Sequence, residues 1–344
     1  MSNHRFPYRW SMADYPEPGD LNVFSTFACG GGSTMGYKLA GYNVLGCLEI
    51  DPEIIDLYKL NHKPQFAYCE DIRDFRKRDD LPHELYDLDV LDGSPPCSTF
   101  SSSGNRDSDW GKKKKFREGQ AVQRLDDLFG EFIRLVNRLQ PKVAISENVM
   151  GMLQGKAKGY VKEIARGFDE IGYDLQIFKL NAGSMGVPQM RRRVFPIARR
   201  KDLKWVDLKL RFSEKPIPFG EVRDEGAEGY KQFTENDEWH WDNRRFSDAS
   251  YADVRMRIDG KRTNFNTHFI DDHRVCNTIA SASAGKLICG AERRHLSVNE
   301  LRMCSTFPMD YRFGSVRPKY VMGMSVPLVM ITQIATEIKK QWFE

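Results

Sequence analysis

Cys97 is a reactive side chain in a constrained setting. It closes DVLDGSPPC, where an apolar strand-like run ends in a carboxylate, turns through a glycine and two prolines, and presents one thiol ahead of the polar STFSSSGNR. Most buried cysteines are small hydrophobes. Past a strand end, behind Pro95 and Pro96, this one is held on a rigid turn that fixes the sulfur against a cofactor at the sheet edge where ligands bind, and a reducing compartment lets it work as a thiolate. Further along, SENV sets Glu147 and Asn148 at the end of another apolar run. A solitary glutamate is usually a hydrated surface acid; at a strand end neighbouring the cysteine it is an acid placed to work on the same molecule. VPQMRRRVF then adds Arg191, Arg192 and Arg193, of which the first and third share one face if the segment is a strand.

A second group of residues points to a bound cofactor. FACGGGSTMGYKLAG, Phe27 to Gly41, leads from a strand into a helix through consecutive glycines, which permit positive φ and close approach of a ligand to the backbone. Glu49, in CLEID, ends the next strand where a carboxylate can accept from a ribose diol, and Asp71, in CEDIRDF, can receive an adenine amine. A dinucleotide such as NAD would satisfy these three features equally well.

Such residues need a scaffold that brings strand ends together. NVFSTFA, NVLGCLEI, LYDLDVLDG, KVAISENV and DLQIFKLNA read as strands, and Val122, Leu125, Phe129, Phe132, Ile133, Val136 and Leu139 recur at helical spacing. Alternating strand and helix predicts an α/β fold with a mainly parallel sheet, whose ligands lie outside the carboxyl ends of the strands. After Ala198 the pattern breaks into prolines, charges and aromatics, which predicts a smaller loop-rich module; helical periodicity returns in LSVNELRMCSTF and PLVMITQIATEIKKQWF.

The 344 residues suffice for one large domain and a smaller one, and a net charge of +4 requires any nucleic-acid surface to be local. Seven cysteines without a Cys-x-x-Cys pair argue against a disulfide framework and a structural zinc. No apolar run is expected to reach the roughly 20 residues of a membrane span, and the N-terminus lacks a signal-peptide core. The expected place is the cytoplasm.

In order along the chain, FACGGG, EID, EDI, GSPPCSTFS, ENV, QMRRR, LSVNELRMCSTFP and GMSV resemble the landmarks of the DNA cytosine-5 methyltransferases. The resemblance implies a Rossmann-like methyltransferase fold, with a catalytic and cofactor-binding domain over 1–198, completed by 295–344, and a target recognition domain over 199–294. It implies methyl transfer from S-adenosylmethionine to carbon 5 of a cytosine flipped out of double-stranded DNA, with S-adenosylhomocysteine as product and no metal. Cys97 would attack carbon 6, Glu147 would hold the exocyclic amine and a proton at N3, Arg193 would reach the carbonyl, and Arg191 would brace the loop or a phosphate. Cofactor contacts fall on Phe27, Gly31, Gly32, Glu49, Ile50, Asp71, Ile72, Pro96 and Ser325. DNA contacts fall on Ser98, Ser101, Arg106, Lys112, Lys113, Gln189 and Arg262, the serine- and lysine-rich segment after Cys97 acting as a lid over the flipped base. The expected protein is a monomer, with a cognate restriction endonuclease as a functional partner.

Three positions depart from the pattern: Cys29 replaces a glycine, Ser98 a glutamine and Met324 an asparagine. Rival readings are a transfer-RNA cytosine methyltransferase, a catalytically silent DNA-binding protein on the same fold, and a nicotinamide oxidoreductase. The last leaves the cysteine, glutamate and arginine set unexplained.

Overall fold

The computed structural model describes residues 4–96, 127–154, 157–261, 267–281 and 286–344, with the backbone of 113–114 and 123–124. The chain clusters into two compact units. One contains Tyr15–Asn181, Arg192–Arg211 and Ile331–Glu344; the other contains Met1–Asp14, Ala182–Arg191 and Phe212–Met330.

The first unit is built on a sheet. Its strands are β1 (Asn22–Thr26), β2 (Asn43–Glu49), β3 (Phe66–Cys69), β4 (Val90–Gly93), the short hairpin β5 (Lys113–Lys114) with β6 (Gln123–Arg124), then β7 (Val143–Ser146), β8 (Asn148–Val149), β9 (Tyr173–Asn181) and β10 (Arg192–Arg200). The main sheet runs β3-β2-β1-β4-β7-β10-β8, with β9 also on β10. β3, β2, β1, β4 and β7 are parallel to their neighbours, and β10 runs antiparallel to β7, β8 and β9. All residues of β4 and β7 are buried, as expected of parallel strands covered on both faces. The order puts the C-terminal ends of β1, β2, β4 and β7 along one edge. Every sequence landmark from Phe27 to Glu147 follows one of those ends or the end of β3.

Five helices accompany the strands: α1 (Gly32–Leu39), α2 (Pro52–His62), α3 (Ile72–Phe75), α4 (Leu128–Leu139) and α5 (Ala157–Glu170). Asp51 caps α2 by accepting from the amides of Glu53 and Ile54, with Pro52 in the first turn where its missing N–H costs nothing. α4 buries Leu128, Phe129, Phe132, Ile133, Leu135, Val136 and Leu139 in the main core, beside Phe24, Leu48, Leu91 and Ala144 of the strands. Of the helical pattern seen in the sequence, Val122 and Leu125 lie outside the described residues.

The second unit has α6 (Glu235–Asp242), α7 (Tyr251–Asp259), two parallel strands β11 (His268–Ile270) and β12 (Leu287–Cys289), α8 (Val298–Cys304) and α9 (Pro318–Met324). Capping boxes start α6 at Thr234 and α8 at Ser297. Its small core joins Tyr251, Val254, Phe269 and Ile288. Asp237 is buried there, and although burial opposes its ionisation, the Lys286 ammonium at 2.7 Å and hydroxyls of Thr234 and Tyr251 hold its carboxyl well below the usual range.

One expectation needs correction. Residues 318–343 do reach the length and apolarity of a membrane span. The run is interrupted at Ser325, whose φ/ψ of −73/146 is extended, and by Pro327, before the closing helix Leu328–Ile338. Its apolar window is 83% buried inside the protein, so its hydropathy reflects core packing.

Candidate active site

The turn after β1 is held in left-handed backbone. Phe27, Cys29 and Gly31 have φ of 53°, 47° and 81°. Cys29 occupies the position where the sequence pattern expects glycine, at a conformational cost of about 1–2 kcal/mol for a residue with a Cβ. The turn is tied to β2 because the Cys29 amide donates to Glu49 Oε2 at 2.9 Å. Glu49 Oε1 accepts the amides of Ile50 and Asp51 at 3.0 and 3.1 Å. Burial raises the Glu49 carboxyl above its ordinary value, while those amides pull it back. Three accepted bonds leave about one of a carboxylate's four acceptor directions open, which suits a ribose hydroxyl.

Gly31 is also needed for space. A Cβ there would lie 2.1 Å from Nε2 of buried His62, the last residue of α2. That imidazole sits 3.1 Å from the Gly30 carbonyl and against Tyr58, ring centroids 4.5 Å apart, and burial pushes its pKa down to about 3. Tyr58 in turn meets Thr34 of α1 through their hydroxyls at 2.7 Å. The start of α1 therefore rests directly on α2. Gly32 begins α1 and is buried, and the half-buried Phe27 packs on the main core. Asp71 caps α3, and both its carboxylate oxygens accept from Arg73; Ile72 behind it is buried.

Asp92 is the residue that motif reading named only as a carboxylate at a strand end. It is buried and accepts from Ser25 at 2.8 Å, Ser33 at 2.6 Å and Tyr37 at 3.2 Å, joining β4 to β1 and to α1. Burial pushes its carboxyl up to about 6, and the charge of Glu147 adds to the shift, against the lowering effect of the three hydroxyls. A folded pKa raised above the unfolded value contributes stability that is complete below about pH 4 and is lost as pH rises through about 6. We expect Asp92→Asn to flatten the fall in melting temperature between pH 4 and 7, a term on the order of 2–3 kcal/mol. A variant profile parallel to the wild type would sink this assignment. The one clue in the sequence was an acid inside an otherwise apolar β run.

Beyond Asp92 the chain continues through Gly93, buried Pro95 and half-buried Pro96. The Glu147 amide donates to the Gly93 carbonyl at 3.3 Å, and the Asn148 side chain donates to the Pro95 carbonyl at 3.3 Å. These bonds attach the start of β8 to the turn that leads into Cys97. Across β8 and β10, Arg193 is in register with Val149. Its Nε is 2.7 Å from Glu147 Oε1, forming an ion pair between two mostly covered side chains. The pair is close without an aligned N–H, and Oε1 is buried with no hydrogen bond among the described residues. A buried carboxylate oxygen with open acceptor capacity is costly unless a ligand uses it. Cys97, Ser98, Ser101, Arg106, Lys112 and Arg262, and the side chain of Lys113, lie outside the described residues.

Two residues have a different placement from that expected. Arg191 precedes β10 instead of sharing a strand face with Arg193. It is buried in the second unit, donating to the carbonyls of Ile279 and Gly323 at 3.0 Å each. Gln189, expected to touch DNA, is 1% exposed; its amide donates to the Cys304 carbonyl at 3.1 Å and accepts from Ile279 N at 3.1 Å. With both ends bonded to backbone, it staples loops of its own unit together. The Arg191 bond fixes the end of α9 just ahead of Ser325, whose buried hydroxyl oxygen has no hydrogen bond among the described residues. Gly323 allows this packing, since a Cβ there would meet Ser281 N at 2.4 Å. Among the described residues, no cluster of His, Cys, Asp or Glu is arranged to hold a metal.

The model of the C-5 cytosine-specific DNA methylases matches residues 21–340. The chain belongs to this family. The methylase is 29% identical to the Type II methyltransferase M.FnuDI of Fusobacterium nucleatum, across 93% of this chain and 94% of the relative. It is 27% identical to M.NgoPII of Neisseria gonorrhoeae, across 93% and 96%. Its fold is similar to a solved E. coli protein described as a prophage-encoded DNA modification methyltransferase, with TM-score 0.70, 19% identity, and 94% and 100% of the two chains covered. The enzyme is a DNA cytosine-5 methyltransferase with an α/β fold.

Proposed function

We propose that this methylase modifies a specific duplex sequence by forming a covalent bond between Cys97 and carbon 6 of a flipped-out cytosine. The supporting observation is the buried, hydrogen-bond-free Oε1 of Glu147, paired with Arg193 and anchored through Asn148 to the turn preceding Cys97. Carbon 5 of cytosine is a poor nucleophile, and thiolate addition at carbon 6 moves electron density onto it. Glu147 binds the exocyclic amine and delivers a proton to N3 as the sulfur adds, so the ring gains no net negative charge. Arg193 orients that carboxyl and approaches the cytosine carbonyl. Carbon 5 then takes the methyl group, a base removes the carbon 5 proton, the C5=C6 bond re-forms as the Cys97 sulfur leaves as thiolate, and N3 returns its proton to Glu147.

S-adenosylmethionine supplies the electrophilic methyl group and leaves as S-adenosylhomocysteine. Glu49, with its open acceptor direction, is suited to the ribose, and the left-handed Phe27–Gly31 turn allows close approach of the cofactor. Asp71, Ile72, Ile50, Gly32 and Pro96 complete the reading on the sheet unit, and Ser325, whose hydroxyl makes no hydrogen bond among the described residues, is carried as a cofactor contact by the family resemblance alone. Residues 199–294 select the sequence. The relatives' Type II designations favour a role beside a cognate restriction endonuclease, and on the same reading the enzyme is a monomer working on DNA in the cytoplasm.

Bisulfite sequencing of DNA from cells expressing the protein should show one recurrent methylated motif. A duplex with 5-fluorocytosine at that position should give a denaturation-stable complex, because fluorine cannot leave as the proton does. Methylation confined to transfer RNA, or failure to trap on the correct duplex, would overturn the reading.

A further inference from the structure

The second unit contains a cleft of about 770 Å³ between the loop 243–249 and the loop 271–278, with Met190, His268 and Gly290 also on its walls. At its edge Phe246 is 97% exposed, the most exposed large hydrophobic side chain among those described. A single exposed hydrophobic side chain is ordinary on a protein surface; Phe246 differs in lining a cleft and in being rigidly mounted, as binding anchors are.

The loop holding Phe246 is anchored on both sides. Arg244 lies over the Trp241 ring, 3.5 Å from its centroid, and donates to the Gly290 carbonyl at 2.9 Å. Asp248 accepts the Arg245 amide at 2.7 Å. Arg257 spans the base of the loop, donating to the Asn243 carbonyl and pairing with Asp248 at 2.8 Å. The apex is thus held out to solvent by its own anchors.

The charges around the cleft identify the partner. Two of its carboxylates are neutralised from within, Asp248 by Arg257 at 2.8 Å and Asp272 by Arg223 at 3.0 Å. Asp271 accepts the His273 amide at 2.7 Å. Arg245 and Arg274 are exposed and form no salt bridge among the described residues, and Asn277 beside them is exposed as well. An aromatic apex on a cleft that also carries two exposed guanidinium groups without a salt bridge among the described residues fits a polyanion with stacked rings, which is duplex DNA.

We propose that Phe246 wedges into a base step flanking the methylated cytosine, with Arg245 and Arg274 on phosphates to either side, so that easily unstacked pyrimidine–purine steps are favoured there. This rests on the duplex-DNA reading above.

The full-length enzyme is tested on duplexes carrying its own site, with 2-aminopurine scanned through the flanking positions. Wild-type protein should brighten the probe at one step. Phe246→Ala should abolish that signal and raise KM about tenfold or more, while kcat and melting temperature stay near wild type; Phe246→Trp should retain both signal and KM. Wild-type KM and fluorescence in Phe246→Ala would overturn the wedge, as would a wild-type dimer that this variant dissociates without a change in KM. If wild-type protein methylates no DNA, the duplex reading itself fails, independently of Phe246.

Discussion

Glu147→Gln should lower kcat for methyl transfer by about 10²–10⁴-fold while leaving DNA binding close to wild type. Glutamine matches the shape of the side chain and its carbonyl can still accept from the cytosine amine. It has no proton to deliver to N3, so the thiolate must add while negative charge accumulates on the ring. It also removes the charge that faces Arg193 Nε at 2.7 Å. Loss of one member of a covered ion pair carries its own stability cost, so Arg193→Gln with Glu147→Gln is the necessary control. If the loss only reflects the stranded Arg193 charge, the single variant should melt lower and the double variant should recover that melting temperature; if the carboxylate handles the proton, kcat stays low in both whatever their stability. The readout is single-turnover methylation, together with the rate at which the 5-fluorocytosine complex forms. A Glu147→Gln enzyme with kcat near wild type would remove this residue from the chemistry.

The second large effect is on folding and on the cofactor turn. Gly31→Ala should lower the melting temperature by about 5–15 °C, from a left-handed backbone penalty of about 1–2 kcal/mol plus overpacking of about 1–3 kcal/mol. The overpacking arises because the new methyl would be placed 2.1 Å from His62 Nε2. His62 cannot easily withdraw, being buried against Tyr58 and close to the Gly30 carbonyl. Gly41 supplies the comparison: its φ is 77°, yet a Cβ there meets nothing within 4 Å. Gly41→Ala should therefore show the backbone penalty alone. Equal losses in differential scanning fluorimetry would mean that the His62 contact contributes nothing. Because His62 holds the start of α1, Gly31→Ala should also weaken S-adenosylmethionine binding by calorimetry, which Gly41→Ala should not do.

The two variants probe information of different kinds. Glu147 was identifiable from sequence because its evidence is local: an acid directly after an apolar β run, in a fixed order with GSPPC before it and QMRRR after it. The same holds for Glu49, for the glycine turn, and for the alternation of strands with helices such as α4. Side-chain periodicity and turn chemistry belong to adjacent residues, so one chain suffices to read them. His62 gave no such sign. Its importance depends on being brought against Gly30 and Gly31 when α2 packs on α1, over a separation of about thirty residues that periodicity does not encode.

Asp92, Arg191, Gln189 and Phe246 show the same division. The sequence by itself determined the family's landmarks, the α/β class and the acid expected to work beside Cys97. The tertiary structure decided that Asp92 gathers three hydroxyls, that Arg191 and Gln189 turn inward onto backbone carbonyls and amides, and that Phe246 is held outward by Arg244 and Arg257. Whether a polar group faces a ligand or a carbonyl is set by which buried groups lack a partner once distant segments meet. That balance exists only in the folded chain.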